Sequence, residues 1–175
     1  MLCYTNEYSC LPYWKEINPV EIDFLIDRPE FMDTVAEWCC RAWPRYYDGD
    51  LNRAMADQRL HLNRDTLPCT LVAYAGAVLL GTIALLREDM EVRPKYSPWL
   101  GSFFVAPEYR GRYQRRSVGL ELLAAGGTTA KRMGFPVLYS WTPVLGRHLR
   151  KHGWQLLETV DFMDVTAEVL QIELT

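Results

Sequence analysis

Between Pro107 and Gly119 the chain reads PEYRGRYQRRSVG, which places Arg110, Arg112, Arg115 and Arg116 within seven consecutive positions. The protein as a whole carries 19 basic and 22 acidic residues, a net charge of −3. The cluster is therefore a local cationic feature of an acidic chain. The apolar spacing that follows predicts a helix from about Ser117 to Met133. A helix start presents unpaired backbone N–H groups and the positive end of the helix dipole. Small residues there, here Ser117 and Gly119, let a phosphate group approach the backbone closely. On these residues alone, the segment reads equally as an anion site or as a solvated arginine-rich turn.

Other reactive residue types form no such constellation. The cysteines, Cys3, Cys10, Cys39, Cys40 and Cys69, include no C-x-x-C pair, so zinc-ligand spacing is absent. Their odd number and irregular spacing argue against a secreted disulfide framework, and reduced thiols in a cytoplasmic protein are expected. Cys39 and Cys40 lie on an expected amphipathic helix with no base and orienting partner nearby in sequence, so neither reads as a nucleophile. No metal is expected. The net negative charge gives no global attraction to nucleic acid or to an anionic membrane. The first residues lack the basic start and apolar core of a signal peptide.

The elements that would position the arginine turn are those of a mixed α/β chain. At 175 residues, 49% hydrophobic and 23% charged, the chain suits a single domain over 1–175, with residues 1–17 as an aromatic-rich extension. A strand is expected near Val20–Ile26, and a helix from Asp27–Glu30 to Pro44 with Phe31, Val35, Trp38 and Cys39 inward. A second helix is expected over Leu51–Leu62 with Leu51, Met55, Leu60 and Leu62 as its apolar members. From Cys69 to Leu86 eighteen residues pass without a charge. Ala75-Gly76-Ala77 divides them into two strand-length runs, so a buried hairpin is the better reading than a membrane span. Further strands are expected at Trp99–Ala106, Val137–Trp141, Trp154–Met163 and Glu168–Leu174, with a short helix at Val144–His152.

The arginine turn, set among these elements, resembles the acetyl-CoA-binding motif of the GNAT superfamily of N-acyltransferases, Gln/Arg-x-x-Gly-x-Gly/Ala. Here it stands as Gln114-Arg115-Arg116-Ser117-Val118-Gly119, with serine for the first glycine and an approach about four residues longer than usual. A register starting at Arg110 would put Tyr113 where glycine is wanted. The resemblance covers about Val20 to Leu174 and includes His152-Gly153-Trp154 near the last helix. It implies a mostly antiparallel sheet whose central strands splay apart beside the helix, and acetyl-CoA as co-substrate. It also implies pantetheine bonded to the backbone near Phe104 and Val105, and pyrophosphate held at Arg115–Gly119. The expected activity is acetyl transfer to a primary amine of a small molecule or protein, by a monomer or a homodimer. The alternative is an acyl-CoA-binding module on the same fold with little or no turnover.

Such transfer needs a neutral amine, yet a lysine-type amine near pKa 10.4 is neutral in fewer than about one molecule in a thousand at pH 7. A base must take the proton, and an acid can protonate the departing thiolate. Many GNAT enzymes use a tyrosine on the last short helix as that acid. Leu149 stands at its position, with His148 one residue away, and Tyr139 and Tyr113 as weaker substitutes. The same resemblance puts Trp43, Tyr46, Tyr47 and Asp89 on the acceptor side, with Asp48, Asp50 and Glu91 as further carboxylates in those regions.

Overall fold

The computed structural model describes residues 19–111 and 117–174. Strand β1 (Glu21–Phe24) turns through two short 3₁₀ segments into helices α1 (Met32–Ala42), α2 (Pro44–Tyr47) and α3 (Leu51–Leu60). Strands β2 (Cys69–Ala75), β3 (Val78–Leu86) and β4 (Trp99–Val105) follow, then helix α4 (Val118–Arg132) and strand β5 (Val137–Thr142). Helix α5 (Gly146–Arg150) leads into a hairpin of β6 (Gln155–Phe162) and β7 (Val165–Glu173). The seven strands form one sheet in the order β1-β2-β3-β4-β5-β7-β6. Every neighbouring pair is antiparallel except β4 and β5, which run parallel across the α4 connection.

The uncharged stretch folds as the β2–β3 hairpin, with Gly76 at φ 59° in its two-residue turn. That conformation suits a residue without a Cβ. Both faces of β2 are covered, which explains why its sequence does not alternate. Leu71 and Ala73 face the α4 side of the core, while Val72 and Tyr74 pack with Leu25, Phe31, Val35 and Cys39 beneath α1. Among the described residues no helix is long and apolar enough to cross a membrane.

The first helices depart from the expectation in two respects. Pro44 ends α1 but also opens α2, because a proline at the first helical position loses no needed N–H. In α3 the buried residues are Ala54 and Gln58, whereas Leu51 and Leu60 are exposed. The close pairing of α3 with α1 admits only a small residue and an amide there. Asp50 caps α3 by accepting from the backbone N–H of Asn52 at 2.8 Å. The β6–β7 turn is also tighter than expected, with Met163 and Asp164 both at positive φ.

Gly81 marks the tightest point between β3, β4 and α4. A Cβ there would lie 2.8 Å from the Phe104 carbonyl oxygen and 3.0 Å from Leu122 Cδ1. The carbonyl belongs to a paired strand and cannot retreat without breaking the ladder. Gly81→Ala is expected to cost about 1–3 kcal/mol, lowering the melting temperature by roughly 2–12 °C. Thermal unfolding followed by circular dichroism checks this, and an unchanged melting point would refute it.

Candidate active site

Strands β4 and β5 meet at one ladder position, Trp99 opposite Tyr139, supported by the Tyr139 N–H donating to the Pro98 carbonyl at 3.0 Å. The Ser140 hydroxyl adds a bond to the Leu100 carbonyl at 2.9 Å. Beyond this point the strands part. The cause is visible in β4, where the register against β3 shifts between Thr82 and Ala84 and Ser102 takes φ 47°. A bulge of this kind bends the strand away from its neighbour. A cleft of about 1150 Å³ opens there, with Gly101, Ser102 and Phe103 on one wall and Ser140, Trp141 and Thr142 on the other.

One end of the wedge presents a strand edge without a neighbouring strand beside the start of α4. The Ala106 N–H donates to the Leu80 carbonyl on β3 at 3.0 Å, so the adjacent Val105 peptide groups face the opposite, unpaired edge of β4. There the Arg110 Nε donates to the Val105 carbonyl at 2.9 Å. The Phe104 ring packs against Trp38 at 5.0 Å between centroids, and the Phe104 carbonyl faces Gly81 on β3, so the edge away from β3 is presented by Val105 and not by Phe104. Ser117 caps α4, its hydroxyl accepting from the Leu120 N–H at 3.4 Å. Val118 is buried, and Gly119 lies against β4, where a Cβ would come 3.1 Å from Phe103 Cζ. The amides of Val118 and Gly119 have no intrahelical acceptor. Gln114, Arg115 and Arg116 lie outside the described residues.

The other side of the cleft gathers Trp43, Tyr46, Tyr47 and Asp89, four residues from α1–α2 and the β3–β4 link. Asp89 rests against β4 because residue 101 is glycine; a Cβ there would come 2.8 Å from Asp89 Oδ2. Burial pushes the Asp89 carboxyl up to about 7, with the Trp141 indole N–H acting more weakly in the opposite direction. The Tyr46 hydroxyl is buried without a protein hydrogen-bond partner, and Trp141 Nε1 is buried close to the Asp89 carboxyl without the geometry of a full hydrogen bond. Burial, and after it the charges of Asp89 and Glu91, hold the Tyr46 hydroxyl above its ordinary value. The carboxyl, the phenol and the indole thus share one partly dry corner.

A second polar group lines the cleft on α3. The Tyr47 hydroxyl donates to Asp57 Oδ2 at 2.7 Å, and His61 Nε2 lies 3.8 Å from Asp57 Oδ1. His61 Nδ1 is 3.0 Å from the Thr70 hydroxyl. Burial holds the His61 imidazole below its ordinary value, against the pull of Asp57.

The structure does not bring His148 or Tyr139 to this cleft. His148 is exposed, with its ring 4.8 Å from that of His152, while the next residue, Leu149, is buried and lines the cleft. One helical step separates them by about 100°. Tyr139 stacks on Tyr96 at 4.7 Å beside Trp99, whereas its neighbour Ser140 turns to the cleft. His148→Ala is accordingly expected to lower turnover no more than roughly tenfold, below the 10²–10⁴ range of a general acid. A thousandfold loss with binding intact would make His148 the acid.

Trp141, the Ser102 bulge and the Asp57–His61 pair carry little signal in the sequence. Trp141 read as the last residue of a strand, and a serine carries no signal for positive φ. The i, i+4 spacing of Asp57 and His61 on a helix was the one available sign. Burial pushes the Cys39 thiol up to about 12 and the Cys69 thiol up to about 11, so both are inert. Among the described residues no group of His, Cys, Asp and Glu could hold a metal.

No family model matches the sequence, and no curated protein matches it. Solved structures do match in fold. An acetyltransferase from Streptococcus agalactiae is 20% identical with a TM-score of 0.61, covering 88% of this chain and 98% of its own. A GNAT-family acetyltransferase from Staphylococcus aureus is 16% identical with a TM-score of 0.62, covering 90% and 100%. An aminoglycoside 6'-N-acetyltransferase complexed with coenzyme A is 12% identical with a TM-score of 0.66, covering 89% and 97%. The chain has the GNAT acetyltransferase fold.

Proposed function

We propose that the protein is an acetyl-CoA-dependent N-acetyltransferase acting on a primary amine. The observation that carries this reading is the Asp89 carboxyl, raised to about 7 and set against the β4 bulge in the cleft where the central strands part. A base with a pKa near the working pH is the most effective kind. The unpaired edge of β4 and the first turn of α4 suit the pantetheine and pyrophosphate of acetyl-CoA, and a coenzyme A complex exists on the same fold.

Acetyl-CoA supplies the activated acetyl group. Asp89 takes a proton from the acceptor ammonium, freeing the nitrogen lone pair to attack the thioester carbonyl carbon. The C–N bond forms, the C–S bond breaks, and the acylated nitrogen gives up its second proton to the departing thiolate or to water. Backbone N–H groups at the bulge are suited to stabilise the developing oxyanion. A free thiol, with a cysteine-like pKa of about 8.5, is acidic enough to leave without a dedicated acid.

One observation favours a second reading, an acyl-CoA-binding module with little turnover. Leu149, buried and lining the cleft, has no proton to give where many GNAT enzymes carry a tyrosine. Thiol release from acetyl-CoA across a broad panel of amines separates the two. Release above the no-amine rate supports transfer. Binding of acetyl-CoA with no release by any amine selects the module.

A further inference from the structure

Three polar side chains from three separate elements meet where β4 bends. Asp89 comes from the β3–β4 link, Tyr46 from α2 and Trp141 from the end of β5. Asp89 rests against Gly101 yet is only half-buried and lines the cleft. The indole beside it is fixed in place. Its ring stands edge-on to Phe162 at 5.2 Å and 88°, and the Trp141 backbone pairs with Val169. Met90, 1% exposed, packs in the same apolar cluster and anchors the residue after Asp89 beside that ring.

The two groups that flank the carboxyl differ in what they can serve. A phenol hydroxyl donates or accepts, so it suits a carboxylate and a carboxylic acid alike. An indole N–H only donates, and its bond to a carboxylate is charge-assisted and the stronger one. The buried Trp141 Nε1 therefore gains most when Asp89 is ionised. The remaining charged groups stand further off or are engaged. Arg87 and Glu88 are exposed at the rim, and Glu91, also exposed, acts on Tyr46. Strand β4 brings no ionisable side chain, and Tyr139 of β5 stacks on Tyr96. On α3, Arg53 pairs with Asp48, while Asp57 holds Tyr47 and lies beside His61.

Resting on the acetyl-transfer reading above, we infer that Trp141 is a positioning residue whose indole N–H holds Asp89 as the carboxylate that takes the acceptor's proton. Without that N–H the charged form loses its donor, and Asp89 titrates about one pH unit higher.

The experiment compares the native full-length protein with Trp141→Phe, which keeps a ring against Phe162. Thermal unfolding across pH follows Asp89 without any substrate. The native melting temperature should stop falling above about pH 7, and that of the variant should go on falling for about one further unit. Lost packing alone would lower the whole curve and leave its pH shape in place. In an Asp89→Asn background the tryptophan substitution should not move that shape. The kcat limb should shift by the same amount, so turnover at pH 7 falls roughly fivefold and recovers above about pH 9. Tryptophan emission of the native protein is the second measurement and does not depend on the variant's folding. It should step near pH 7, and Asp89→Asn should abolish the step. An unmoved pH shape in folded Trp141→Phe overturns the inference, as does a native emission trace without a step or a step that survives Asp89→Asn. A shifted stability curve with no turnover of any amine would keep Trp141's hold on Asp89 and sink the transfer reading. Turnover with an unmoved limb and an unmoved stability curve would do the reverse.

Discussion

Asp89→Asn is expected to lower turnover by about 10²–10⁴-fold at neutral pH, with acetyl-CoA affinity unchanged. Asparagine keeps the shape that fits against Gly101 but cannot accept a proton. The wild-type protein should show a rising limb in kcat below about pH 7, where Asp89 is protonated, and a plateau above it. The variant should lack that limb. Stability should move the other way. Burial raises the folded-state value from 3.8 to about 7, so between about pH 4 and 7 the folded protein holds a proton that the unfolded chain has released. Stability therefore falls as pH rises through that window. The variant has no such group, so its melting temperature should exceed that of the wild type at pH 8 and match it more closely at pH 4. Loss of activity joined to a gain in stability is the mark of a strained functional group. A variant of wild-type activity, or one less stable at pH 8, would remove Asp89 from the mechanism.

The contrast between what could and could not be read from the sequence follows from how locally each feature is specified. The β2–β3 hairpin and the α4 helix were legible because charge-free runs, glycine turns and a helical period are short-range signals. Leu51 and Leu60 misled because an apolar residue can stay on a helix surface, while Ala54 and Gln58 are selected by the distance between α1 and α3. The Ser102 bulge needs two strands to define it. The roles of the cleft residues depend on adjacent positions pointing to opposite sides. Leu149 and Ser140 face the cleft while His148 and Tyr139 do not, and a reading uncertain by a residue or two cannot separate them. Asp89 was legible as a carboxylate of the link after the hairpin; its burial against β4 was not, because that depends on Gly101, twelve positions away in the chain.

Gly119→Val is expected to weaken acetyl-CoA binding at least about a hundredfold, or ~2.7 kcal/mol. Two effects act together. Gly119 is in the first turn of α4, where a branched side chain would stand between the free amides and a pyrophosphate. Its Cβ would also lie 3.1 Å from Phe103 Cζ and 3.7 Å from Val105 Cγ2, so the added methyl groups press on β4, the strand proposed to bond the pantetheine. Gly127→Val is the control, the same chemical change two turns further along α4. There a Cβ meets only Leu174 Cδ2, at 3.6 Å, and binding should stay within a few-fold of the wild type. Calorimetric titration of acetyl-CoA into both variants, with circular dichroism as a check on folding, decides the matter. Equal losses in the two would mean that α4 packing, not phosphate approach, controls affinity. Wild-type affinity in the Gly119 variant would mean that the pyrophosphate lies elsewhere and that the motif does not begin at Gln114.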